Sequence, residues 1–417
     1  MKDSSDYTSL VHLMRFLNTM LLALLATSVA AQNITVSGKV TDRETKEPLP
    51  FASVYVKGKP IGTITNLVGE FDFHIPVEYR NEILVISMLG YSNFESPVWS
   101  LISSTPAMIE MNISAVLLQE VLVKDSLSGG DILRLALNHV PQNYPMKPFL
   151  MEGFYRDVKK VGGTYISLLE AAVEIYDKDY ASPRNKFKLR EGVRLLEVRK
   201  SIGYESKFTS YFDQDNLLED LLLHNNIRYR QIEEREEMYA SMNREKNSYY
   251  NGHEIYVISH VQDYFLKIFI DKDDYAIVHL EWEASTSNEI VGRRKNMVSR
   301  FAGLRKTIDF KRVDNKMHLN FISITSKVNW HDMETNELKF ETELFQQLLI
   351  NKVTSNTDER IGSVEKMRNY GLQYQDLPYN KQFWDNYNVI KETPLDKKIL
   401  QDLEKAGPLN KQFEGKY

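Results

Sequence analysis

The 417-residue chain has no cysteine, which excludes disulfides, thiolate nucleophiles, cysteine zinc sites, iron–sulfur clusters and a lipid-modified N-terminal cysteine. Glycine (19) and proline (13) are too sparse for a collagenous or low-complexity chain. Lysine plus arginine number 52 against 57 acids, a formal charge of -5, so no global basic field argues for nucleic acid. After the first thirty residues, no apolar run reaches the roughly 20 residues that a membrane-spanning helix needs. GxSxG elbow, P-loop, dinucleotide fingerprint and HExxH are all missing, so no motif names a reaction. What is present is 42% hydrophobic, 26% charged and 11% aromatic residues, the composition of a folded chain. Its length suggests two or three units of roughly 150 residues.

Met14-Arg15 opens a short apolar run from Met20 to Ala26, followed by Val29-Ala30-Ala31 before Gln32. A positive start, about a dozen apolar residues and a small-residue site have the layout of a secretory signal peptide. Residues 1–31 are therefore expected to be removed by cleavage between Ala31 and Gln32, and Met14 is a candidate for the true start. Secretion across the inner membrane follows, to the periplasm or the outer membrane.

From Ile34 the chain gives short β-rich runs at Ile34–Val40, Phe51–Val56, Phe71–Ile75 and Ile83–Met88, the spacing of an all-β sandwich. Gly62 to Phe71 carries Asn66 and Gly69 where a tight turn needs them, and then puts Phe71 and Phe73 on one strand face. Gly38-Lys39-Val40-Thr41-Asp42, Pro48-Leu49-Pro50-Phe51-Ala52-Ser53-Val54, the Gly62–Phe71 turn and Ile86-Ser87-Met88-Leu89-Gly90-Tyr91 together resemble the carboxypeptidase regulatory-like domain at the head of many Bacteroidetes envelope proteins. The resemblance implies a seven-stranded, prealbumin-like or Ig-like sandwich over residues 32–113 that spaces other modules, without peptidase activity. Leu118-Gln119-Glu120-Val121-Leu122-Val123, in a linker at 114–130, resembles the join between this sandwich and the plug and barrel of TonB-dependent transporters. The rest of the chain cannot supply that barrel, whose 22 strands at roughly 10 residues each need about 220 residues before plug and loops.

Residues 131–355 read as a helical start and then an antiparallel β-meander, curled into a half-barrel, with a tail at 356–417. Asp131–Val140 is a helix stopped by Pro141, and Asn216–His224 a second, with Leu217, Leu218, Leu221 and Leu222 on one face. Strands are expected at Phe149–Val158, Thr164–Tyr176, Lys186–Val198, Tyr249–Val261, Phe265–Asp271, Ala276–Glu283, Lys306–Val313, Met317–Val328 and Leu338–Val353. The fold class is thus mainly β, a sandwich followed by a half-barrel with a few helices. Gly153-Phe154-Tyr155-Arg156-Asp157 with Glu170-Ala171 is similar to a segment of uncharacterised Bacteroidetes envelope proteins. The hairpins from Asn251 to Ile277 look like lipoprotein-carrier half-barrels, which implies an apolar concave face able to hold an acyl chain or a partner strand.

Candidate ligand-binding residues are Tyr155, Arg156, Glu170 and Trp384. A guanidinium among aromatics can meet a carboxylate, a phosphate or a sugar face, and Arg156 can equally form a buried ion pair with Glu170 across the hairpin. Trp384 lies with Phe383 and Tyr387 on one side of a short helix suited to packing on the sheet. His331-Asp332-Met333-Glu334 has an HxxE spacing in a polar turn, His253 enters a strand from a turn, and Asp271-Asp273-Asp274 lacks the rest of a calcium loop; no metal and no cofactor is expected. Arg293-Arg294-Lys295 with Arg300, Arg305 and Lys306 is a basic cluster suited to a solvated strand face or an anionic partner. Asp125-Ser126-Leu127 fits a Bacteroidetes O-glycosylation pattern at Ser126.

These readings add up to a non-catalytic envelope protein, peripheral to the membrane if it touches it, that binds a lipid, a glycan or another envelope protein and no nucleic acid. A hydrolase with an accessory sandwich and a small outer-membrane barrel are the alternatives.

Overall fold

The computed structural model describes residues 33–102, 106–114, 126–205, 208–212, 216–285, 289–367, 371–391 and 394–415. The leader, the Ala31–Gln32 cleavage pair and most of the linker lie outside them.

Seven strands form the sandwich: β1 (Asn33–Asp42), β2 (Ser53–Val56), β3 (Gly62–Ile64), β4 (Glu70–Pro76), β5 (Ile83–Ser87), β6 (Phe94–Pro97) and β7 (Ala107–Met111). One sheet has the order β4-β1-β7 and the other β3-β2-β5-β6. Alternation along β4 buries Phe71, Phe73 and Ile75 against Val36, Val40, Val54 and Ile86. The Asn66 side chain accepts from the amides of Val68 and Glu70, and Gly69 closes the turn at φ 77°. A β-carbon at Gly69 would collide with the Val40 carbonyl, so this turn requires glycine.

The second unit is one twelve-stranded antiparallel sheet. Its strands are β8 (Phe149–Val161), β9 (Thr164–Asp177), β10 (Gly192–Lys200), β11 (Asn243–Arg244), β12 (Ser248–Tyr250), β13 (His253–Val261), β14 (Phe265–Asp271), β15 (Ile277–Ser285), β16 (Ile290–Arg294), β17 (Met297–Val313), β18 (Lys316–Asp332) and β19 (Leu338–Ser355). The main order is β10-β9-β8-β19-β18-β17-β15-β14-β13-β11. The last strand of the meander returns to pair with the first, β19 on β8, while β10 and β11 remain as edges. The sheet therefore does not close, and the small outer-membrane barrel weighed from the sequence is not formed among the described residues.

Both faces are covered by protein. On one side lie α1 (Gly129–Asn138), α2 (Leu217–Leu223) and α3 (Glu236–Ser241). Ser128 and Asp131 form a reciprocal cap at the start of α1, and the Asn216 side chain caps α2. Their buried Ile132, Leu133, Leu218, Leu221, Leu222 and Met238 share one continuous core with residues from β8 to β19. On the other side sit the sandwich and the C-terminal segment. Phe51 stacks on Phe321 of β18 at 5.3 Å, and Val353 of β19 donates to the Pro60 carbonyl at 3.0 Å. Asn388 and His74 exchange two hydrogen bonds, and Tyr387 donates to the Gly153 carbonyl. The C-terminal segment is thus bonded to the sandwich and the sheet alike.

Several expected bounds move. Residues 186–191 are loop and β10 starts at Gly192. The strand expected from Phe51 starts at Ser53, because Phe51 takes φ 59°. β17, β18 and β19 are longer than expected, at 17, 17 and 18 residues. The first helix ends at Asn138, and Pro141 sits in a separate short turn of helix at Val140–Asn143, where a proline near the first helical position is tolerated.

Candidate functional site

Register places Arg156 of β8 opposite Glu170 of β9, and Glu170 opposite Arg199 of β10. Cross-strand partners share a face, so the three side chains line up on the sandwich-bearing side. Arg156 donates through Nε to Glu170 at 2.7 Å, and Arg199 donates through Nε to the other carboxylate oxygen at 2.6 Å. Glu170 is buried; desolvation alone would raise its carboxyl, but the Arg199 and Arg156 guanidiniums outweigh it and hold it below the usual carboxylate range.

The clamp reaches the C-terminal segment. Arg156 donates to the Ile390 carbonyl at 3.3 Å. Arg199 lies over the Trp384 ring at 4.3 Å, and Trp384 meets Phe154 edge-on at 6.5 Å. Of the four sequence candidates, the fold therefore brings Arg156, Glu170 and Trp384 together. Tyr155 faces the other way, as strand alternation requires: its hydroxyl donates to Asp157 and accepts from Gln346 on the helix-bearing side.

Beside Arg156 the sandwich, the sheet and the C-terminal segment leave a cleft of about 340 Å³, within the ~300–1,000 Å³ range of small-molecule sites. Val158, Phe321 and Phe345 form its floor, Phe51 and Leu67 one wall, and Ile390 and Ile399 the opposite wall. Charges lie at its margin in pairs: Lys160 with Glu343 at 3.1 Å, Arg305 with Glu283 at 3.1 Å and Lys391 with Asp72 at 2.9 Å. Phe51 holds its ring over Phe321 from a left-handed backbone, a conformation that costs a bulky residue on the order of 1–3 kcal/mol. The sequence names neither Phe51 nor Phe321 as a site residue; the Pro48-Leu49-Pro50 run ahead of Phe51 is the only local sign of an unusual turn.

The apolar face expected to hold an acyl chain is filled by the chain's own α1, α2 and α3. Lys306 belongs to that side, over the Trp282 ring at 5.3 Å, where burial pulls its ammonium down to about 7. The basic cluster is dispersed accordingly, since Arg305 pairs with Glu283 on the opposite face and Arg294 lies over Tyr211. Asp332 accepts from the amides of Glu334 and Thr335, so the HxxE stretch is an Asx-type turn. His253 gathers with Asp271 and Asp273, their ligand atoms within 4.8 Å. The three pair within the protein, His253 with Asp273 at 2.7 Å and Arg312 with Asp271 at 3.6 Å. Ser126 is exposed.

Residues 36–123 match the model of the CarboxypepD_reg-like domain family. Over 68 residues the chain is 44% identical to the TonB-dependent receptor SusC of Bacteroides thetaiotaomicron, a stretch covering 16% of this chain and 6% of that receptor. Among solved structures, a LolA superfamily protein from Nitrosomonas europaea overlaps 56% of this chain and 96% of its own at 10% identity and a TM-score of 0.19. A chain of the Pseudomonas aeruginosa MucA/MucB complex overlaps 55% of this chain and 99% of its own at 9% identity and a TM-score of 0.17. Superpositions this loose carry no site across. The seven-stranded sandwich at the head of this chain is a CarboxypepD_reg-like domain, joined here to a large antiparallel sheet that stays open.

Proposed function

We propose that the chain is a secreted, non-catalytic binding protein of the bacterial envelope, at the periplasmic or outer-membrane side, whose ligand site is the cleft between sandwich, sheet and C-terminal segment. The observation that carries this reading is the apolar lining from three separate parts of the chain, Phe51, Phe321, Phe345, Ile390 and Ile399, with Arg156 beside them and further charges at Lys160, Arg305 and Lys391. Such a slot suits a single acyl chain whose polar end stays near Lys160, Arg305 and Lys391. A hydrated sugar would find partners at Thr307, Ser323, Thr325, Gln347 and Asn66, and each hydroxyl left against the apolar walls would cost roughly 1–3 kcal/mol. The regulatory-like sandwich and its likeness to the head of SusC support the envelope address. In this arrangement the sandwich is a wall of the site as well as a spacer.

The test is titration with a naturally fluorescent polyene fatty acid. Saturable binding is expected for the wild type and a loss of at least tenfold for Ser323→Trp, which fills the cleft from β18. Binding that ignores Ser323→Trp would overturn the reading.

A further inference from the structure

We infer that one end of the large sheet is a docking face for an anionic lipid bilayer. Three segments meet there: Pro145–Pro148 before β8, Asp179–Glu191 between β9 and β10, and 356–367 after β19. They are stitched by backbone hydrogen bonds, Tyr180 to the Pro145 carbonyl at 2.9 Å, Thr357 to Pro148 at 3.1 Å and Met367 to Val193 at 2.7 Å. Each segment exposes a large apolar side chain: Met146 is 43% exposed, Phe187 84% and Val364 93%. Single exposed apolar residues need no explanation, but three from separate loops at one end form a surface that water disfavours.

Around Phe187 the charge has one sign. Arg184, Lys186 and Lys188 flank Phe187, and no acid occurs between Ser182 and Leu189. Lys147, Arg360 and Lys366 are exposed on the neighbouring segments. Of the acids on 356–367, Glu365 and Glu359 are paired with Arg194 at 2.8 and 3.3 Å, and Asp358 is exposed. The same loop encloses an open hollow of about 470 Å³ lined by Arg184, Lys188 and Arg190, with Asp179 held by Arg190. A chain of net charge -5 thus gathers cations around protruding apolar side chains, the complement of a bilayer with anionic headgroups. The rings and chains enter the headgroup–acyl boundary while the cations meet phosphates. This face is formed by other segments than the cleft, so either assignment can fail without the other.

Vesicle flotation of the mature chain tests it, with phosphatidylglycerol-containing and pure phosphatidylcholine vesicles. Binding is expected only to the anionic vesicles, weakening steeply with salt. Phe187→Ser should reduce it about tenfold, the worth of one buried aromatic anchor. Arg184→Glu with Lys188→Glu should abolish it, while both variants keep the wild-type thermal midpoint, because the three residues are exposed. Ser323→Trp should float like the wild type. Equal flotation with neutral vesicles, no flotation at all, or anionic binding indifferent to Phe187→Ser and suppressed by inorganic phosphate would each overturn the inference; the last would mark a soluble-anion site instead.

Discussion

On the helix-bearing face of the large sheet, Leu218, Leu221 and Leu222 meet Ile258, Ile308 and Leu348 in a single dry core. On the sandwich-bearing face the same strands present Arg156, Glu170, His279, Asp309 and Phe321, and what covers them comes from parts of the chain hundreds of residues apart. The first face is held mainly by area removed from water, though it too buries charged groups, Arg228 with Asp177 and Lys159 with Asp157. The second is held by buried charges in fixed geometry, and those are destabilising unless every partner is present. The cleft lies on the second kind of face, because pieces joined by a few directional contacts leave space between them.

The largest effect is expected where a buried charge loses its partner. Glu170→Ala removes the carboxylate that Arg156 and Arg199 share beneath the C-terminal segment, and about 4 kcal/mol of unfolding free energy should disappear in urea titration. Protease cleavage within residues 372–391 should accelerate as well. On the other face Leu221→Ala should cost about 3 kcal/mol as a cavity, without that local acceleration. If both variants released the C-terminal segment equally, the two faces would not be independent.

Acid and alkali sharpen the contrast. The Glu170 carboxyl is held below its usual 4.5, so its pairing stabilises the fold above pH 4.5 and is lost as pH falls through the lower, folded value. The His279 ring lies between Asp309 at 2.6 Å and Glu281 at 3.2 Å. Desolvation would lower it, but Asp309 outweighs burial and lifts it to about 9. Its contribution is therefore complete below pH 6.5 and lost as pH rises through about 9. His279→Gln should remove the share of the alkaline decline that His279 contributes while leaving the acid limb. An unchanged alkaline limb in that variant would contradict the assignment. The smallest effect is expected from Ser323→Trp, whose side chain enters existing space; its stability should stay within about 1 kcal/mol of wild type.

The helix-bearing face was the more legible in sequence, since the leucine spacing of Leu217 to Leu222 and the turn at Asp314-Asn315, with φ of 48° and 61°, are local signals. The sandwich was legible for the same reason, through the Gly62–Phe71 turn and the alternation of Phe71 and Phe73. The cleft was not. Its assembly depends on β19 returning to β8, on Phe51 leaving strand geometry and on Arg199 joining the Arg156–Glu170 pair, and of these only the Phe51 turn has a local sign, in Pro48-Leu49-Pro50. Tyr155 marks the opposite case: adjacent residues on a strand point to opposite faces, so alternation already separates it from Arg156.

The most direct measurement is native mass spectrometry of the chain purified gently from the cells that make it, beside the Ser323→Trp variant treated identically, with extraction of whatever co-purifies. The account predicts a lipid of defined mass on the wild type and none on the variant. The same lipid retained by Ser323→Trp would place the ligand away from the sandwich-bearing face and contradict it.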